Sequence, residues 1–215
     1  MDTEVRMKTV LVTGGCVRLG AAISGFLRKN GWRVLTSSHR PDAGADIVAD
    51  LSEPSGAAKL YSRAIDILGG KPPDALVNNA AILSGDGLET VNLKSAQKLV
   101  ILMAGRETGR GSVVNILDAS DQSARFPAYA KSKEMLRDYT LKAAALFSDT
   151  LNVNAVSPGP VMAPEGVRMK GGFCPFGRPQ AEDVAQAVGF LLGARMVSGA
   201  ILPVDGGLGL APDFC

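Results

Sequence analysis

The sequence predicts a doubly wound α/β fold, in which one parallel sheet is covered by helices on both faces. Short aliphatic runs alternate with amphipathic helical patterns along all 215 residues, and this alternation is typical of right-handed crossovers between parallel strands. The strand segments are largely apolar, as expected for strands that are buried on both sides. No repeat or break in composition divides the chain, so we expect a single domain over residues 1–215 with about seven strands.

Each element follows from its local pattern. Apolar runs predict strands over residues 9–12, 32–36, 46–50, 74–78, 112–117, 151–156 and 200–204. Apolar residues at helical spacing predict helices over residues 19–30, 52–68, 90–105, 128–147 and 179–192. Ligands bind beyond the carboxyl ends of the strands in such sheets, so the residues that follow each strand are the candidate site residues.

Composition excludes several classes of protein. Lys and Arg number 23 against 21 Asp and Glu, a net charge of +2 that argues against a nucleic-acid partner. Cys16, Cys174 and Cys215 are far apart, and His39 is the only histidine, so we expect neither a metal site nor a disulfide framework. The N-terminus lacks an apolar signal core, and no run is long enough to span a membrane. We therefore expect a cytoplasmic protein with no membrane partner.

The segment after the first strand, TGGCVRLG over residues 13–20, has the character of a phosphate-binding loop. Glycines let backbone N–H groups approach a phosphate, and the following helix adds partial positive charge at its N-terminus. The G-x-G-x-x-G dinucleotide pattern does not match here. An ordinary strand-to-helix turn that needs glycine is the alternative interpretation.

Three basic residues suggest which dinucleotide this loop would hold. Arg18 lies inside the loop, and His39 and Arg40 follow the second strand, where a carboxylate would bind the ribose of NAD. The first acid after that strand is Asp42. Arginine binds phosphate through forked hydrogen bonds, so this placement predicts NADPH rather than NADH as cofactor. The alternative is that the basic residues are solvated loop charges.

A tyrosine and a lysine four residues apart form the candidate catalytic pair. Tyr129 and Lys133 share one face of the helix predicted over 128–147. A neighbouring cation lowers the pKa of a phenol, which would make Tyr129 a usable acid or base near neutral pH. Asp118, at the end of the fifth strand, and Asn92, in the preceding helix, are expected to face the same crevice.

Taken together, these motifs resemble the short-chain dehydrogenase/reductase family over nearly the whole chain, and imply a Rossmann-type sheet. The matching segments are Thr13-Gly14 with Gly20, Asp50-Leu51, Asn78 to Ala81, Asn92, Tyr129 with Lys133, Asn154 to Gly159, Gly177 to Pro179 and Val204 to Gly207. The resemblance implies that Tyr129 protonates the substrate, that Lys133 holds the cofactor ribose, and that Asn92 positions a relay water. The cofactor contacts expected from the loop and the resemblance are Gly14, Arg18, Leu19, Gly20, His39, Arg40, Asp50, Leu51, Asn78, Ala80, Tyr129, Lys133, Pro158, Gly159 and Val161.

Departures from the family pattern indicate a branch. Arg18 stands where the family has glycine, Asp118 stands where it has the catalytic serine, and the segment 82–89 before Asn92 is short. The first two departures, with the His39-Arg40 pair, resemble the pteridine reductases. A carboxyl group can bind a ring N–H or help relay protons, whereas serine would orient a carbonyl. The alternative is that Ser120 fills the serine role.

The substrate and the assembly are less closely defined by sequence. Residues 160–178 are expected to form a substrate lid, with Met162, Met169, Phe173, Cys174 and Phe176 as candidate lining residues. Residues 81–84 offer no aromatic side chain to stack on a pterin ring, so Phe126, Phe173 or Phe176 would have to do so from other loops. Ordinary packing is the alternative interpretation of these three residues. The functions that remain open are a pteridine reductase, a general carbonyl or 3-oxoacyl reductase, and a non-catalytic NADP(H) sensor. The family resemblance implies a homo-oligomer, either a dimer or a tetramer.

Overall fold

The computed structural model describes residues 7–107, 109–120, 125–162 and 175–213. Within them, the strands are β1 Thr9–Thr13, β2 Arg33–Ser38, β3 Ile47–Val48, β4 Ala75–Asn78, β5 Gly111–Ile116, β6 Leu151–Pro158 and β7 Ile201–Val204. They form one parallel sheet with the strand order β3-β2-β1-β4-β5-β6-β7. The α-helices are α1 Arg18–Lys29, α2 Gly56–Ile67, α3 Ser95–Ala104, α4 Pro127–Leu146 and α5 Ala181–Gly193. Short 3₁₀ turns cover Pro41–Ala43 and Leu208–Asp213, and a π-helical turn, Thr90–Lys94, leads into α3.

Alternate residues of the strands point into hydrophobic cores on the two faces of the sheet. On one face, Leu11, Leu76 and Val113 pack with α2, α3 and α4. On the other face, their neighbours Val12 and Val77 pack with α1 and α5. Because side chains alternate along a strand, an apolar run supplies both cores at once. The predicted doubly wound α/β sheet is confirmed.

Polar side chains account for the two main differences in element boundaries. The third strand was expected over 46–50, but β3 contains only Ile47–Val48. The carboxylate of Asp46 accepts hydrogen bonds from the backbone N–H and the hydroxyl of Thr36. Asp50 instead accepts both the N–H and the hydroxyl of Ser52, and this turn delays the start of α2 from residue 52 to Gly56.

None of the helices in the described residues has the length and apolar character needed to cross a membrane. In the same part of the chain, no group of three His, Cys, Asp or Glu side chains is arranged so that it could hold a metal ion.

Candidate functional site

The predicted site residues gather at the carboxyl edge of the sheet, around the point where the strand order reverses. From β1 the chain proceeds outward to β2 and β3, then returns to the other side of β1 with β4 and continues to β7. The crevice at such a reversal is the usual ligand position in doubly wound folds. The loop after β1 lies on one side of it, and the ends of β4, β5 and β6 lie on the other.

Thr13 and Asn79 brace the loop after β1. The Thr13 hydroxyl donates to the Val77 carbonyl and accepts the backbone N–H groups of Asn79 and Ala80 at 2.9 and 3.0 Å. The side-chain amide of Asn79 donates to the carbonyls of Thr13 and Gly14 at 2.9 and 3.1 Å. Sequence reasoning did not single out Asn79 as a support of this loop, because the contact joins residues 65 or more positions apart.

Close approach of backbone explains two glycines of this loop. Gly14 has φ +61°, a conformation that favours glycine. A Cβ at Gly20 would lie 2.0 Å from the Gly14 carbonyl oxygen and 2.6 Å from the Asn79 amide nitrogen. The loop therefore folds tightly against the start of α1, with its backbone N–H groups at a helix N-terminus, as a phosphate cradle requires.

The basic residues lie at the edge of this cradle. Arg18 is exposed and has φ +52°, the only positive φ of a non-glycine residue in the described chain. His39 and Arg40 are exposed at the end of β2. The acid that follows, Asp42, is also exposed, in the 3₁₀ turn beyond them.

Asp50 follows β3 and lies near enough to His39 to feel its charge. The hydroxyl and N–H of Ser52, and to a smaller extent the nearby His39, hold the pKa of Asp50 below its usual value. The next residue, Leu51, is buried in the core beneath it. Of these two predicted contacts, only Asp50 presents its side chain at the surface.

The catalytic candidates meet at the start of α4. The Tyr129 hydroxyl donates to Asp118 Oδ2 at 2.9 Å. Asp118 Oδ1 accepts the N–H of Ser120 at 2.8 Å and also its hydroxyl. Lys133 Nζ donates to the Ile116 carbonyl at 2.8 Å and lies 5.6 Å from the centre of the Tyr129 ring. A pocket of about 250 Å³ is lined by Asp118, Ser120, Tyr129 and Lys133, among others.

The expectation that Lys133 lowers the pKa of Tyr129 is wrong for this arrangement. Burial raises the pKa of Tyr129, and the negative charge and hydrogen bond of Asp118 raise it further, well above its usual value of 10.0. Burial also lowers the pKa of Lys133 to about 8, although the Asp118 carboxylate opposes that shift. The structure therefore makes Tyr129 a phenol that keeps its proton.

Asn92 lies in the π-helical turn and clamps the short segment after β4. Its Oδ1 accepts the Ile82 N–H at 2.8 Å, and its Nδ2 donates to the Ile82 carbonyl at 2.9 Å. The same Nδ2 donates to the Ser132 hydroxyl at 3.1 Å, and that hydroxyl donates to the Tyr129 carbonyl. Both N–H donors of the side chain are thus used within the protein. A π-helical turn disturbs the regular hydrogen-bond ladder of a helix, and such turns are frequent at functional sites.

Asn78 was expected to contact the cofactor, but its side chain is buried. The side-chain amide donates to Asn115 Oδ1 at 2.8 Å, and Asn115 donates to the Thr140 hydroxyl on α4. Asn78 Oδ1 is buried, and no hydrogen-bond partner for it is found among the described residues. This side chain ties β4 to β5 beneath the crevice.

The end of β6 closes the crevice on the far side. The Pro158 carbonyl accepts the Ala119 N–H at 2.7 Å, and the Gly159 N–H donates to the Val204 carbonyl at 2.9 Å. A Cβ at Gly159 would lie 2.8 Å from Asp205 Cα, so this turn also needs glycine. Val161 follows and donates its N–H to the Gly159 carbonyl.

The expected lid falls largely outside the described residues. Met169, Phe173 and Cys174 lie outside the described residues, as does most of the segment 160–178. Phe176 is described. It is 83% exposed, and its ring lies close above Gly207. Phe126, the remaining aromatic candidate, is half-buried at the N-cap of α4.

Comparison with known proteins extends over almost the entire chain. A family model described as enoyl-(acyl carrier protein) reductase matches residues 19–209. A Streptomyces violaceoruber protein named ketoacyl reductase 2 of the granaticin polyketide synthase is 31% identical, over 92% of this chain and 94% of that protein. The crystal structure of FolM alternative dihydrofolate reductase 1 from Brucella canis, complexed with NADP, has a TM-score of 0.80 and 28% identity, over 98% of this chain and 100% of that one. A blue fluorescent protein from a metagenomic library, in complex with NADPH, has a TM-score of 0.82 and 26% identity, over 96% and 99%.

Proposed function

Because this chain belongs to the short-chain dehydrogenase/reductase family, we propose that it is an NADPH-dependent reductase of a carbonyl or imine carbon, with a dihydropterin or dihydrofolate as substrate. The observation that carries the proposal is the hydrogen bond from the Tyr129 hydroxyl to the Asp118 carboxylate in the crevice. It puts a proton donor and an acceptor for a ring N–H at the same position. Both groups border the pocket beside α4.

The residues around the crevice fit a dinucleotide phosphate. A Cβ at Gly20 would overlap the Gly14 carbonyl, a Cβ at Gly14 would lie 3.3 Å from Ala80 Cα, and the side-chain amide of Asn79 donates to the Gly14 carbonyl. Arg18, His39 and Arg40 would hold the 2′-phosphate, and Asp50 would accept a hydrogen bond on the adenine side. NADPH, when bound, supplies the hydride. Solved relatives in complex with NADP and with NADPH support this choice of cofactor.

The chain's own residues supply the proton and the orientation. Tyr129, whose hydroxyl is protonated near neutral pH, would turn from Asp118 Oδ2 to donate its phenolic proton to the substrate heteroatom. Lys133, whose ammonium group is already held by the Ile116 carbonyl, would present its remaining donors to the ribose hydroxyls. Pro158, Gly159 and Val161 would border the nicotinamide.

Asp118 favours a pterin over a simple ketone. A carboxylate accepts hydrogen bonds from ring N–H and amino groups, which a reduced pterin displays along one edge. A ketone has no such donors, so the carboxylate would gain nothing from it. The alternative dihydrofolate reductase of Brucella canis is a similar structure over the full chain, and this supports a folate-type substrate.

A second candidate is a 3-oxoacyl reductase. It is favoured by the Streptomyces relative named as a ketoacyl reductase and by the family model that matches residues 19–209. In that case Asp118 would be a tolerated replacement, and the oxygen of the oxoacyl group would be bound by Tyr129 alone.

One assay separates these candidates. Oxidation of NADPH and of NADH is followed by absorbance with dihydropterin, dihydrofolate, a quinone and a 3-oxoacyl thioester in parallel. We expect turnover of a pterin with NADPH, and in Asp118→Ser we expect loss of pterin turnover by about 10²-fold with ketone turnover retained. Turnover of the oxoacyl substrate alone would favour the second candidate. Tight NADPH binding by calorimetry with no turnover would indicate the sensor instead.

We further propose that the chain forms a homodimer or homotetramer. Ile101 on α3 and Leu141 on α4, two helices that cover the same face of the sheet, are 50% and 40% exposed. Phe190 on α5, on the opposite face, is 61% exposed. Either face therefore offers exposed apolar side chains to a second subunit. Light scattering after size exclusion measures the mass directly, and a monomer at micromolar concentration would contradict this proposal.

A further inference from the structure

The two oxygens of the Asp118 carboxylate have different partners. Oδ1 accepts two hydrogen bonds from one residue, Ser120, through its backbone N–H at 2.8 Å and through its hydroxyl. Oδ2 accepts the hydroxyl of Tyr129 at 2.9 Å. The carboxylate is therefore oriented by Ser120 on one side and faces the phenol on the other.

The backbone around this carboxylate is fixed by the neighbouring strand. The Leu117 N–H donates to the Val156 carbonyl at 2.8 Å, and the Ala119 N–H donates to the Pro158 carbonyl at 2.7 Å. These bonds continue the β5–β6 pairing beyond the end of β5. The main freedom left to Asp118 is rotation about its side-chain bonds, and the Ser120 hydroxyl restrains this rotation.

We propose that Ser120 is a positioning residue, which orients the Asp118 carboxylate so that Oδ2 meets the hydroxyl of Tyr129. Ser120 then does not replace the serine of the family pattern. It acts through Asp118, because its own hydroxyl hydrogen is directed at Oδ1. This inference rests on the proposed function only for its kinetic consequence, because the geometry itself can be tested without turnover.

A spectroscopic experiment tests the geometry directly. The chain has three tyrosines, so protein labelled with ¹³C at tyrosine Cζ gives few resonances, and Tyr129→Phe assigns the one of interest. We expect Ser120→Ala to shift the Tyr129 resonance, because loss of the hydroxyl frees the carboxylate while the backbone N–H bond remains. Ser120→Thr keeps a hydroxyl and should restore the wild-type position. Ser62→Ala, an exposed serine on α2, is the matched control.

The kinetic arm measures the consequence of the lost orientation. In Ser120→Ala we expect kcat with the best substrate to fall about tenfold, the effect of losing one hydrogen bond to a charged group. The Kd for NADPH should stay within about twofold of wild type, because Ser120 does not touch the phosphate cradle, and Ser120→Thr should recover most of kcat. A merely structural role would lower the melting temperature and kcat and raise the Kd for NADPH, all together.

The outcomes separate this inference from the proposed function. If the Tyr129 resonance in Ser120→Ala coincides with that of wild type, the positioning role is wrong, whatever the turnover. If wild type reduces none of the substrates while the resonance shifts as expected, the proposed function fails and the positioning role stands. Should Ser120→Ala not fold, Ser120→Cys replaces the hydroxyl with a much weaker thiol donor, so the Tyr129 resonance should again shift and kcat should again fall. An unshifted resonance in that variant together with full kcat would overturn the inference.

Discussion

Arg18 combines a backbone conformation that suits glycine with a side chain suited to phosphate, and two substitutions separate these effects. Its φ is +52°, in the left-handed region that L-residues with a Cβ adopt at a cost. Arg18→Gly removes both the guanidinium and the strain. Arg18→Ala removes the guanidinium and keeps the strain, so a comparison of the two variants isolates the backbone contribution.

The expected magnitudes follow from the conformation and the charge. The left-handed conformation costs a residue with a Cβ about 1–2 kcal/mol, and glycine loses about 0.5–1 kcal/mol through its greater freedom when unfolded. The net advantage of Arg18→Gly over Arg18→Ala is then about 1 kcal/mol in the free energy of unfolding. For a chain of this size that corresponds to a melting temperature about 2–4 °C higher.

Both variants should lose NADPH affinity equally. A hydrogen bond to a charged group contributes roughly 1.5–3 kcal/mol, so the Kd for NADPH should rise about 10- to 100-fold while the Kd for NADH changes little. Fluorescence titration gives both constants, and thermal unfolding by circular dichroism gives the melting temperatures. Arg63→Ala, which removes an exposed arginine on α2, is the control for loss of surface charge.

Two results would refute this reasoning. If Arg18→Ala melts at or above the temperature of Arg18→Gly, the left-handed conformation carries no cost at this position. If the preference for NADPH over NADH survives in both variants, Arg18 does not hold the 2′-phosphate, and His39 and Arg40 would have to account for the preference.

Three further predictions concern other parts of the site. Tyr129→Phe should lower kcat by at least about 10²-fold in the absorbance assay while calorimetry gives an NADPH Kd within about twofold of wild type; retained turnover would exclude Tyr129 as the proton donor. Gly20→Ala should lower the free energy of unfolding by about 1–3 kcal/mol in urea and weaken NADPH binding, because its Cβ meets the Gly14 carbonyl, whereas Gly25→Ala on the open side of α1 should leave binding unchanged. Burial lowers the pKa of Lys133 from 10.5 to about 8, so the folded state binds fewer protons than the unfolded chain between those values. The free energy of unfolding of wild type relative to Lys133→Met should therefore rise with pH across that window. Urea unfolding from pH 7 to 10 measures this difference, and a difference that stays constant would show that the pKa of Lys133 is ordinary.

The fold was predictable from sequence because its signals are local. Apolar runs and helical spacing depend on neighbours along the chain, and the seven strands occur where those runs do. The Tyr129–Lys133 pair was predictable for the same reason, since four residues along a helix define a shared face. The third strand was overextended because the aspartates at its ends, Asp46 and Asp50, bind backbone N–H groups and hydroxyls instead of extending the ladder.

Contacts between distant segments were not predictable in this way. Asn79 supports the loop after β1 across 65 positions, and its type alone does not distinguish it from any other asparagine after a strand. The direction of the Tyr129 pKa shift was missed for a related reason. The sequence places Lys133 four residues away, but the fold brings the Asp118 carboxylate into direct hydrogen bonding and buries the phenol.

Under the proposed function, the carboxylate at position 118 bears on both the substrate and the protonation of Tyr129. Burial is the largest cause of the raised pKa of Tyr129, and the Asp118 carboxylate raises it further, whereas a serine hydroxyl there would bring no charge. A protonated phenol can donate to a carbonyl or imine that is being reduced, but it cannot accept the proton of an alcohol that is being oxidised. Burial lowers the pKa of Lys133 itself to about 8, which reduces the fraction that is charged at alkaline pH. Under the proposed function, the carboxylate that would bind a ring N–H therefore also helps to keep Tyr129 in the protonated form that reduction requires.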